Sequence, residues 1–221
     1  EGTAETVRLG ANIEISESLT VRRTVTLDLN GCVLKMTNNG GSVIKVDSGG
    51  NLKLTDSDTT AAHKFTPDAN GLWALDETAG TKTVTGGTGT NGPNGIRGGG
   101  GVYVAEGGKF TMNGGNIVGC IAKNGGGLFL SDGSFTMNAG SIVGCSTPNR
   151  LTTGEAFYGG IYAFGPMANG DTTGVITLTG GLIKNNGRYD INAVYKTTIY
   201  ANGGEVYGEV DLNQACKITC F

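Results

Sequence analysis

The sequence predicts an all-β solenoid of about six coils, with three short strands per coil and three loop insertions. Three observations predict it: an internal repeat near 25 residues, apolar residues spaced i, i+2 in short runs, and Gly in excess at the ends of those runs. Gly makes up 41 of 221 residues, about 19%, where an ordinary domain has about 7%. No Gly-x-y period is present, which excludes collagen, and 38% hydrophobic residues in alternating runs exclude a disordered linker. A chain of this length can bury a substantial core, and residues 1–221 read as a single domain.

Along the chain, the first unit is residues 25–36, VTLDLNGCVLKM, with Leu27 and Leu29 standing 25 residues before Leu52 and Leu54. The second, residues 43–56 (VIKVDSGGNLKLTD), superposes without a gap on residues 101–114. Next come the clearest adjacent pair, GGGVYVAEGGKFTMNGGNIVGC (99–120) and GGGLFLSDGSFTMNAGSIVGC (125–145). Phe110 and Phe135, Met112 and Met137, Ile117 and Ile142, and Cys120 and Cys145 share one offset of 25. Downstream, residues 176–181 (ITLTGG) and 199–204 (IYANGG) repeat the motif. One apolar column is then Leu27, Leu52, Phe110, Phe135, Ile176 and Ile199, and the other Leu29, Leu54, Met112, Met137, Leu178 and Ala201.

A polar residue between the two columns is strand periodicity with one buried face. Each unit holds about three such strands separated by Gly, Asn, Asp or Ser turns, so like residues stack at the ~4.8 Å strand spacing and each coil buries its inner face against its neighbours. Gly at the corners permits positive φ or close approach of successive coils. A β-sandwich with Gly-rich hairpins also has short, regularly spaced strands, but does not require the same apolar residue at a fixed offset.

The two adjacent units resemble the Gly-rich repeats of secreted and surface-attached bacterial proteins of the pectin-lyase-like class, and residues 25–36 resemble the first coil of such domains. The likeness spans roughly residues 25–204 apart from the insertions. It implies a right-handed parallel β-helix, an extracellular or cell-surface setting, and membership of a larger multidomain surface protein. On function it is broad, because that class includes polysaccharide lyases, glycoside hydrolases, adhesins and carbohydrate-binding modules.

In a solenoid, coil-specific additions gather on one face and make the binding surface. The insertions fall at about 57–98, 146–158 and 165–174. The first two precede the strands starting at Val102 and Ile161, so they should leave the same corner with one coil between them and flank a groove. The first carries the lone His and Trp of the chain, His63 and Trp73, near Asp56, Asp58 and Arg97; Tyr158 ends the second. Trp73 would either stack on a sugar ring or anchor its own loop, and His63 either contacts a ligand or stands solvated.

A lyase would need carboxylates converging on Ca²⁺ and a basic residue placed to abstract the proton beside a uronate carboxylate. The outward position between the apolar columns instead reads Thr26, Lys53, Thr111, Thr136, Thr177 and Tyr200, a Thr ladder without an acid cluster. Its interruption by Lys53 and Tyr200 argues against an ice-binding face. The nearest thing to a carboxylate column is Asp47, Glu106 and Asp132, which either hold a Ca²⁺ ion or stand as polar turn residues facing water. No carboxylate pair stands out for glycoside hydrolysis, and no nucleophile-elbow, phosphate-loop or zinc pattern occurs.

A formal net charge of -3 without Lys/Arg clusters excludes nucleic acid as a partner, and no run approaches the roughly 18 apolar residues of a membrane span. Of five cysteines, Cys120 and Cys145 share a column with Asn186, while Cys216 and Cys220 could staple the last coil. The expectation is a binding or adhesion module for a glycan or a host or cell-wall surface, without catalysis or a required cofactor. The alternatives are a carbohydrate-active enzyme of the pectate-lyase type and a structural stalk.

Overall fold

Short runs of alternating residues, bent at Gly corners, fold here as rungs that pair with the equivalent runs of neighbouring repeats. A computed structural model describes residues 5–38, 40–58, 60, 65–67, 73–75, 83–85, 90–91, 97–147, 158–165, 174–213 and 215–220. Among these no helix occurs, and the strands of successive repeats pair in parallel as a parallel β-helix with three sheets.

The first sheet stacks β1 (Glu5–Arg8), β4 (Thr24–Asp28) and β7 (Asn51–Thr55), followed by the leading halves of β14 (Lys109–Val118), β16 (Ser134–Val143), β18 (Val175–Lys184) and β20 (Thr198–Val206), and ends in β22 (Lys217–Cys220). The second stacks β2 (Ile13–Ile15), β5 (Val33–Met36) and β10 (Thr83–Thr85) on the trailing halves of β14, β16, β18 and β20. The third runs β3 (Leu19–Val21), β6 (Ile44–Val46), β13 (Val102–Val104), β15 (Leu128–Ser131), β17 (Ile161–Phe164), β19 (Tyr189–Val194) and β21 (Glu209–Leu212).

The long strands turn from the first sheet to the second through a register shift after Met112 and its equivalents. Gly140 shows why this bend takes Gly: its φ is +91°, and a Cβ there would come 2.4 Å from the Gly115 carbonyl oxygen of the preceding coil.

Inside, Phe110 and Phe135 stack with centroids 5.1 Å apart, and Met112 pairs with Met137. These columns are fully buried, as are Leu52, Leu54, Ile176 and Ile199. One register differs from the sequence expectation. Val25 pairs with Leu52 and Leu27 with Leu54, because the connection between β4 and β7 carries two residues more than the 25-residue frame. Leu29 lies just past β4, where its amide donates to Thr55 O at 2.9 Å and its side chain is fully buried. At the terminal rungs the inward columns reach solvent: Val7 is 41% exposed and Ile218 49%.

The first insertion is not loop throughout. Its β-branched Thr83-Val84-Thr85 supplies the second-sheet rung between β5 and β14 that the short β7 does not reach. Two antiparallel pairs accompany it, β8 (Phe65–Pro67) with β9 (Trp73–Leu75), and β11 (Thr90–Asn91) with β12 (Arg97–Gly98).

Candidate functional site

The chain returns from the first two insertions at one corner, between the second and third sheets. The amides of Gly99 and Gly101 donate to Asn124–Gly126 carbonyls, and those of Gly126 and Gly127 donate to Tyr158–Gly160 carbonyls, so one coil separates the two returns. The third-sheet strands start directly after this corner, with Leu128, Leu130, Ile161 and Ala163 facing inward. Their outward column reads Thr20, Lys45, Tyr103, Phe129, Tyr162, Asn192 and Asp211 in register.

The middle of this column is an aromatic ladder. Tyr103 and Phe129 stack at 5.5 Å with planes 5° apart, and Phe129 and Tyr162 at 5.5 Å and 8°. Although both face outward, Tyr103 is only 4% exposed and Phe129 1%. The return from the first insertion lies across them: a Cβ on Gly98 would come 2.2 Å from Phe129 Cδ2. Further along, the ladder opens. Tyr158 meets Tyr162 edge-on at 5.1 Å and stacks on Tyr189 at 5.9 Å, and all three rings are half-buried. Arg188 lies over the Tyr189 ring, 5.0 Å from its centroid, and its Nε is 3.4 Å from Glu209 Oε2.

Burial dominates the chemistry of these phenols. It pushes the Tyr162 hydroxyl up to about 12, with Tyr158 and Tyr195 adding to the rise. It also raises Tyr158, helped by the negative charge of Asp211 and by Tyr189. Both stay neutral at physiological pH and serve as flat apolar surfaces with a polar tip. At the far end Asn192 is fully buried, and its Nδ2 donates to Asp211 Oδ2 at 2.6 Å, an oxygen that also accepts Asn213 Nδ2 at 2.8 Å.

Of the residues expected from sequence, Tyr158 belongs to this cluster. Asp56 and Asp58 lie at another corner, between the first and second sheets, and are engaged in local turns. Asp56 Oδ1 accepts the Gly31 amide at 3.0 Å, and Asp58 Oδ1 accepts the Thr60 amide at 2.8 Å. His63 lies outside the described residues. Trp73 sits in β9 opposite Pro67 and Arg97 in β12 opposite Asn91, and their side chains are also outside the described set.

Asp47 is bound by Lys45 at 2.8 Å and Arg22 at 3.0 Å, and these cations, Lys45 foremost, hold its carboxyl below the usual range. Glu106 and Asp132 border an open hollow of about 260 Å³ together with Lys109 and Ser134. Among the described residues no group of three or more His, Cys, Asp or Glu side chains converges as a metal site would require.

The cysteines are free thiols. Cys120 and Cys145 are fully buried, and Cys145 Sγ lies 3.7 Å from both the Ile117 and Val143 carbonyl oxygens; burial drives its thiol well above the ordinary range. Asn186 takes the next place in the column, accepting the Cys145 amide at 2.9 Å and donating to Ile142 O. Cys216 and Cys220 are separated by the extended β22, which at ~3.3 Å per residue puts their Cα atoms beyond the ~7 Å reach of a disulfide.

Tyr103, Phe129, Tyr162 and Tyr189 escaped the sequence reading, although a signal for the first three is present. Val-Tyr-Val, Leu-Phe-Leu and Ile-Tyr-Ala place an aromatic at the one position of each repeat where alternation calls for a polar residue. No family model, curated protein or solved structure matches the chain. A row of rings stacked across coils, covered at one end and open at the other, forms a rigid platform with hydrogen-bonding groups at its open edge.

Proposed function

We propose that this chain is an extracellular binding or adhesion module that takes a glycan on the outer face of its third sheet. The observation that carries the reading is the half-buried tyrosine row of Tyr158, Tyr162 and Tyr189, set where the second insertion rejoins the solenoid. Pyranose rings present C–H faces that pack on aromatic rings while their hydroxyls hydrogen-bond at the rim, and apolar walls with a few placed polar groups are what such ligands need. The rings already stack on one another, so little side-chain freedom is left to lose on binding. In this reading the chain belongs to a larger surface protein, and its partner is a host or cell-wall glycan.

A glycan array probed with the intact chain tests this. Binding should appear on the array, and Tyr162→Ala and Tyr189→Ala should each weaken it by at least about tenfold, the scale of an aromatic anchor. An array without binding by the folded chain, or binding indifferent to both substitutions, overturns the proposal.

A further inference from the structure

The open end of the tyrosine row is not neutral in hydrogen-bonding character. Asn192 has its amide orientation fixed, because Nδ2 faces the Asp211 carboxylate at 2.6 Å and the flipped amide would set oxygen against oxygen. In the register Tyr162–Asn192–Asp211 this leaves Oδ1 on the side of Tyr162. That oxygen is buried and has no hydrogen-bond partner among the described residues, a costly state for a carbonyl. Beside it Asp211 contributes a carboxylate. Arg188 is held by Glu209 and the Tyr189 ring, and Asp190 is turned into the corner, where it accepts the Asn186 and Gly208 amides. Among the described residues Asp190, Glu209 and Asp211 set three carboxylates against the Arg188 guanidinium, a net negative charge.

We infer that this site selects uncharged glycans and rejects polyuronates, an inference that rests on the glycan-binding reading. A neutral pyranose brings hydroxyl donors that the Asp211 carboxylate accepts. A uronate carboxylate is an anion, and although the tyrosine hydroxyls and Arg188 can donate to it, the carboxylates of Asp190, Glu209 and Asp211 outnumber that cation and repel it. The row itself stacks on either kind of ring; the edge makes the distinction by what it refuses.

Calorimetric titration of the intact chain at fixed ionic strength, with neutral tetrasaccharides of glucose, galactose and mannose and with tetragalacturonate, tests the selection. At least one neutral ligand should bind about tenfold or more tighter than tetragalacturonate, and Asp211→Asn should narrow that gap. Raising the salt concentration on the unmodified chain should narrow it as well, a readout that does not depend on a variant folding. Equal or tighter binding of tetragalacturonate, or a gap unmoved by both Asp211→Asn and salt, overturns the inference and leaves glycan binding standing. No binding by any of the four ligands overturns both readings.

Discussion

The outer faces of the first and third sheets are built on the same coils and point away from the core with opposite chemistry. On the first sheet the register aligns Thr6, Thr26, Lys53, Thr111, Thr136, Thr177, Tyr200 and Thr219, and a polar ladder beside them links Asn138 to Asn113 at 2.8 Å and Thr179 to Asn138 at 2.6 Å. On the third sheet the corresponding column is Tyr103, Phe129 and Tyr162. Inward, both sheets carry buried apolar columns, with Phe110 and Phe135 on the first sheet and aliphatic residues on the third. The repeat thus fixes the interior, while each outer column is free to vary, and aromatics occupy the one next to the corner where two insertions return. The polar ladder beside the Thr column is hydrogen-bonded across coils, whereas the aromatic column is followed by Asn192, whose buried Oδ1 has no partner among the described residues.

The largest expected effect tests what the two faces share. Phe135→Ala removes a fully buried ring stacked on Phe110 and should cost about 3–5 kcal/mol in chemical denaturation, with binding lost alongside folding. A cost under about 1 kcal/mol would mean that the interior does not hold both faces.

On the aromatic face, Tyr162→Ala should lower stability by only about 1–2 kcal/mol, since the ring is half-buried, yet abolish most glycan binding. Unfolding and binding measured on the same sample separate the two effects.

Acidification loosens the early rungs of both sheets. Burial alone would raise Asp28, but hydrogen bonds from Ser57, Arg8 and Asn30 outweigh it and hold the carboxyl below its ordinary value, as Lys45 and Arg22 do for Asp47. A lowered folded-state value means stability that is complete above the unfolded carboxyl range, near pH 4, and is lost as pH falls through the folded values. Thermal melting should therefore hold steady down to about pH 4–5 and decline below it; Asp28→Asn should flatten that decline.

The smallest effect belongs to the Thr face. Thr136→Ala should change stability by no more than about 0.5 kcal/mol and leave glycan affinity untouched in the same assays.

How much of this was legible in the sequence follows from where selection for packing is strict. Inward positions must match their neighbours in size and polarity, so Phe110/Phe135 and Met112/Met137 declare the coil by their common offset. The slip at Leu27 arose because a corner can absorb two extra residues without disturbing the strands it joins. Thr83-Val84-Thr85 was hidden for a different reason: a three-residue rung inside a Gly/Thr-rich stretch is too short to show a period. The site was half visible. The corner followed from the positions of the insertions, and Tyr158 with it, but attention to rare residues favoured His63 and Trp73 over the recurring central aromatic. Asn192 and Asp211 could not be read in advance, because their juxtaposition depends on stacking β19 on β21.

The most direct test of the account is to map where a glycan lands. Backbone amide NMR spectra of the intact chain, titrated with the tightest-binding neutral tetrasaccharide, should shift at Tyr162, Tyr189, Asn192 and Asp211 and stay fixed at Thr111, Thr136 and Thr177. Shifts confined to the threonine face, with the tyrosine row unmoved, would contradict it.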